Sequence, residues 1–124
     1  LKEAHQACEA ARDAGKHDFY YQLNEVFHRC IYDASHNEFL AEQATALHRR
    51  LRPYRRLQLR VRNRMASSFT EHANIVEAIN AGRSEDAAAL LRSHVVVQGE
   101  RFTDLVATLR QMNSPSEPAP AGAL

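Results

Sequence analysis

The chain has no tryptophan, four glycines, four prolines, two cysteines and a net charge of only +1. Each shortage excludes something. Cys8 and Cys30 sit at no spacing typical of a metal site or a disulfide framework, so they read as free, largely buried thiols of a reducing cytoplasm. A near-neutral charge supplies no global field that would demand a nucleic acid or a membrane. No run approaches the roughly 20 apolar residues of a membrane span, and no signal-peptide pattern opens the chain. A cytoplasmic protein is therefore expected. Alternating strand patterns and internal repeats are also missing. So is an initiating methionine: the first residues, LKEAHQACEAARDAG, are already helical in pattern, and a front portion is expected to be absent.

What remains is helix-forming material. The 124 residues suffice for one domain with one modest core, and 44% hydrophobic with 25% charged residues is ordinary for a globular chain. Leu1, Ala4, Cys8 and Ala11 share one face of a first segment that Gly15 should end. A second, from about Asp18 to Ala34, carries Leu23, Phe27, Cys30 or Ile31, and Ala34. Asn37 reads as the N-cap of a third, long segment to about Arg60. Its narrow seam is Leu40, Ala44, Leu47, Leu51 and Gln58, and Pro53 should kink it. Residues 61–66 read as loop. A fourth segment should start at Ser67 or Ser68, with Ser68 and Glu71 as a capping box ahead of His72, Ile75, Val76 and Ile79. A fifth should run from Ser84 to about Leu109 through Ala87, Leu90, Leu91, His94, Val97 and Leu105. The fold class is all-α, an antiparallel bundle of about five to six helices over residues 1–111, with a disordered Pro- and Ser-rich tail over 112–124.

Seven histidines are present. His5, His17, His36 and His48 lie at segment ends or off the apolar stripes and read as solvent-facing. His28, His72 and His94 border the core faces of three different helices, which a bundle would bring together. Asn24 stacks one turn from His28. Three imidazoles and an oxygen donor can hold a divalent metal with positions left open for water or a small acid. The plainer alternative is three hydrogen-bonded core histidines.

The runs NEVFHRCIYDASHNEFL and SFTEHANIVEAINAGRSEDAAALLRSHV resemble the C-terminal effector domain (FCD) of FadR-type regulators in the GntR family of bacterial transcription factors. The resemblance rests on Asn24 and His28, on Ser35-His36-Asn37 with Leu40, on Glu71-His72 with Ile75, Ala78 and Ile79, and on Ala87 or Ala88 leading to His94. It implies an effector-sensing, homodimeric, non-enzymatic domain that reaches operator DNA only through an N-terminal winged helix-turn-helix absent here. The first helix of the family domain also looks absent, which would leave an apolar groove to be covered. Metal-binding members use one Asp and three His, which by position are Asn24, His28, His72 and His94. Asn24 is the departure. A neutral amide there should weaken hard cations most and favour Zn²⁺ or Ni²⁺.

Eight arginines fall between Arg49 and Arg64. Most should pair with carboxylates on a solvated face. Arg55 continues the seam about 40° from Leu51 and is the candidate to turn inward and bind a small organic acid, with His48 beside it. The rival reading is a small enzyme with three His on a metal, acting on an organic acid. No carboxylate stands at a general-base spacing, because Glu71 reads as a helix cap.

Overall fold

The structure, a computed structural model, describes residues 1–113. Within them lie six helices: α1 (Lys2–Asp13), α2 (His17–Ala34), α3 (Glu38–Arg50), α4 (Arg52–Gln58), α5 (Arg64–Asn80) and α6 (Ser84–Asn113). No strand occurs among the described residues. The chain folds as an all-α antiparallel bundle. The expected tail lies, apart from its first two residues, outside the described residues, and so do the side chains of Val97 and Leu105.

Short connections set the hairpins. Gly15 takes φ +65, so the Gly15 and Lys16 amides donate back to Arg12 and Ala11 at 3.0 Å each and close α1. Asn37 caps α3 as its sequence suggests, its Oδ1 accepting from the Leu40 amide at 3.0 Å. Pro53 does more than kink a helix. It sits in the first turn of a separate helix, α4, where its missing N–H costs nothing. Residues 61–66 are only partly loop, since Asn63 at φ +63 starts α5 at Arg64. Ser68 is therefore interior to α5 and not its cap. It is buried and accepts from Tyr20 Oη at 3.3 Å.

The apolar core is formed by Cys8, Ala11, Tyr20, Tyr21 and Leu59, with Leu23, Met65 and Phe69 packed against it. It lies where α1 rests on α2 and α5. From there α5 continues onto α6, α2 onto α3 and α4 onto α6. The leucine seam of the third segment does not face this core. Leu40, Leu47 and Leu51 are 56%, 57% and 40% exposed. Ala41, Thr45 and the seam's own Ala44 are half-buried, and His48 is buried at the next turn. The inward face of α3 is thus set by small residues and His48 and not by the leucines. Ile79 and Leu109 are likewise more exposed than periodicity suggests.

Candidate metal centre

Tyr21, Asn24 and His28 follow at steps of three and four on α2, and all are buried. The face they share turns toward α5 and α6 rather than to water. On α5 the inward row is Arg64, Ser68, His72 and Ile75. On α6, His94 is buried one and two turns beyond half-buried Leu91 and buried Ala87. Three helices thus deliver His28, His72 and His94 to one place. One ring nitrogen from each lies within 4.8 Å of the other two. The ring centres are 5.0 Å apart for His28 and His72, 5.3 Å for His28 and His94, and 4.7 Å for His72 and His94. Phe27 stacks on His72 at 4.1 Å and meets His28 edge-on, an apolar wall behind the rings.

The hydrogen bonds assign the protons. Glu71, an acceptor, takes Nδ1–H of His94, so His94 Nε2 carries a lone pair. His72 Nε2 lies 3.2 Å from that atom and donates to it. Its own Nδ1 is then a buried acceptor with no partner. His28 Nε2 and Asn24 Oδ1 are also buried without partners. Such orphans are uncommon in a folded interior and call for an explanation, an ion or a water among them.

Glu71 corrects the sequence reading. It does not cap α5. It accepts two hydrogen bonds from buried Arg64, at 2.8 and 3.1 Å, and orients His94. Arg64 and Glu71 are seven residues apart on one helix, so they share a face. A helix start placed four residues too late hides that pairing, which was the signal available.

Burial lowers the His28 pKa far below its usual value, and the neighbouring Arg55, His72 and His94 push the same way. Burial brings His72 down to about 2. His94 is also lowered by burial, against the pull of Glu71. For Glu71, burial acts to raise the pKa, but the hydrogen bonds from Arg64 and His94 outweigh it and hold the carboxyl below its ordinary range. All three imidazoles are neutral at pH 7, the form that donates lone pairs.

Arg55 shares a small cavity with Asn24 and Arg64, and His48 stands beside His28. Arg55 is partly exposed, but its Nη2 is buried and has no hydrogen-bond partner. Its charge bears on His28, His48, His72 and His94. His48 is buried, not solvent-facing. Its ring centre is 5.6 Å from His28, its Nδ1 meets Tyr32 Oη at 3.3 Å, and its pKa falls to about 4 through burial and then Arg55. His5 is also partly buried, stacked on Phe69 at 4.2 Å. His36 is exposed as expected. A cavity of about 10 Å³, room for about one water, lies among Asn24, Arg55, Gln58, Leu59, Arg64 and Ser68. A far larger open cleft of about 670 Å³ runs between α2 and α3, lined by Arg29, Asp33, Glu42 and Arg49 among others. Its lining holds none of the interior donors, so size does not mark the site. Elsewhere in the arginine cluster, Arg52 pairs with Glu25 at 2.5 Å, and Arg56 and Arg60 share Asp18 at 3.0 and 2.9 Å. These exposed guanidiniums form the solvated face that the sequence suggested.

The donors fit a divalent ion. Three imidazoles bound at about 2.1 Å to one ion would have their ring centres about 5 Å apart, which the observed separations match. His94, held by Glu71, has the supporting carboxylate usual for a ligating histidine. A family model, that of the FCD domain, matches residues 1–96. No curated protein and no solved structure gives a significant match.

Proposed function

Because the chain belongs to the FCD domain family, the C-terminal domain of GntR-family regulators, we propose that it senses a small organic acid through a divalent metal. Asn24, His28, His72 and His94 hold the metal, and Arg55 with His48 receives the acid. The single observation that carries this reading is the meeting of three neutral ring nitrogens from α2, α5 and α6. An imidazole-dominated donor set with a neutral amide favours Zn²⁺ or Ni²⁺ over Mg²⁺ or Mn²⁺. A bound ion would supply a Lewis-acidic point for a carboxylate.

The chain's own residues do the rest. Glu71 fixes the tautomer of His94, Phe27 keeps water from one side of the rings, and the free Nη2 of Arg55 donates to the acid. The elements that carry the metal- and acid-binding groups are α2, α3, α4, α5 and α6, so occupancy biases how these helices pack. A shift in that packing is the signal handed to a DNA-binding domain elsewhere in the regulator. We read the domain as a sensor and not an enzyme, because Glu71, the carboxylate facing the rings, is held by Arg64 and His94 and is not free to act as a base. A cytoplasmic homodimer fits this role. The exposed Leu40, Leu47 and Leu51 of α3 are the surface we assign to its interface. No helix among the described residues is long and apolar enough to cross a membrane.

The test is elemental analysis of protein purified without chelator or nickel resin, with native mass spectrometry for a retained acid. The expected result is about one transition-metal ion per chain, lost in a His72→Ala variant. Metal-free protein that also fails to take up Zn²⁺ or Ni²⁺ on titration overturns the reading.

A further inference from the structure

Charge is distributed unevenly around the three imidazoles. Arg64 is neutralised by Glu71 through two hydrogen bonds. Arg55, which lines the same small cavity as Arg64, has a buried Nη2 with no hydrogen-bond partner. Glu25 is a carboxylate whose charge acts on Arg55, and it is engaged by Arg52 at 2.5 Å. Asn24 lines the same cavity as both arginines; its buried Oδ1 has no hydrogen-bond partner and its amide carries no charge. The four donors are therefore all neutral. A divalent cation entering alone would add a double charge to an interior where Arg64 is neutralised by Glu71 but the Arg55 guanidinium is not. A carboxylate entering alone would find Arg55 but no cation among the imidazoles. Each species supplies the charge the other lacks, and in a water-poor interior that mutual attraction is strong.

We propose that metal and carboxylate bind this domain as a coupled pair. Asn24 enforces the coupling because it withholds the negative charge that would let the metal bind by itself. The inference rests on the metal-sensing reading above and adds to it a binding logic: metal-free and acid-free protein is the resting state, and the loaded state needs both. Coupling is reciprocal, so the acid raises metal affinity by the same factor as the metal raises acid affinity.

The experiment is calorimetric titration of the chelator-treated full chain with Zn²⁺, with and without acetate or succinate, corrected for association of the ion with the acid in solution. In the unmodified protein, either acid should tighten Zn²⁺ at least about tenfold. Asn24→Asp should tighten Zn²⁺ alone by at least about tenfold and cut the acid's effect to below about threefold. Arg55→Met, which removes the uncompensated charge, should also tighten Zn²⁺ alone and abolish the acid effect. This second variant keeps the test alive if Asn24→Asp does not fold. Zn²⁺ affinity that is measurable but indifferent to acid, or unchanged by both substitutions, overturns the coupling and leaves the metal site standing. No Zn²⁺ binding in any protein, with or without acid, overturns the metal-sensing reading itself.

Discussion

Arg64 and Arg55 are two arginines of one cluster, both with guanidinium nitrogens inside the bundle, yet they have opposite surroundings. Arg64 is 2% exposed and meets Glu71 through both of its terminal nitrogens. Arg55 keeps a buried nitrogen unpaired, and burial lowers its pKa. Arg64 is electrostatically closed and belongs to the fold. Arg55 carries a charge with no hydrogen-bonded counterpart at its buried nitrogen. A buried charge with its partner in place is costly to break, whereas a buried charge without one is already a cost that removal relieves.

Acid breaks the comparison hardest. His28, His48, His72 and His94 all have folded pKa values lowered from 6.5. A group of this kind binds its proton more readily in the unfolded chain. Its contribution to stability is thus complete above about pH 6.5 and shrinks as pH falls toward the folded value. His72 and His48, brought down to about 2 and about 4, each cost roughly 2 kcal/mol between pH 6.5 and about 5, and His28 and His94 act in the same direction, so metal-free protein should lose several kcal/mol. Glu71 works in another window. Its folded pKa is lowered from 4.5, so its contribution holds above that value and disappears only as pH falls through its folded pKa. Thermal melts across pH 7.5 to 5 check this, and a midpoint that stays level down to pH 5 would contradict buried neutral imidazoles.

The two arginines can then be set against each other directly. Arg64→Ala strands Glu71 and frees His94, and should cost about 3 kcal/mol in urea unfolding, discounted for the partial exposure of Glu71. Arg55→Met should change stability by less than about 1 kcal/mol, or raise it. Equal losses would mean that Arg55 has a structural partner after all. Glu71→Gln sharpens the same contrast at the metal. It keeps an acceptor for Arg64 but loses the charge that orients His94, and Zn²⁺ affinity should fall roughly 10- to 100-fold while the fold survives. The smallest effect is expected at Ser68. Ser68→Ala removes the 3.3 Å partner of Tyr20 Oη and should cost about 1 kcal/mol in the same unfolding assay. A loss several times larger would place Ser68 in the polar interior rather than beside the apolar core.

Local rules determined a good part of this molecule. Helix-forming composition, Gly15 as a terminator and Asn37 as a cap depend only on backbone propensity and on hydrogen bonds within a few residues, so they were legible without any knowledge of packing. So were the inward tendencies of His28, His72 and His94, because each borders an apolar stripe of its own helix. What the sequence misled about was orientation between helices. The leucines of the α3 seam obey helical periodicity perfectly well, yet they face outward, while half-buried Ala41, Ala44 and Thr45 and buried His48 take the inner face. Ser68 and Glu71 match a capping box, yet the chain enters α5 one turn earlier through Asn63, and the same two residues become an interior hydrogen-bond acceptor and the support of His94. Periodicity fixes which residues share a face of one helix. Only tertiary packing decides what that face meets, and therefore which arginine finds its carboxylate at home and which keeps a buried nitrogen without one.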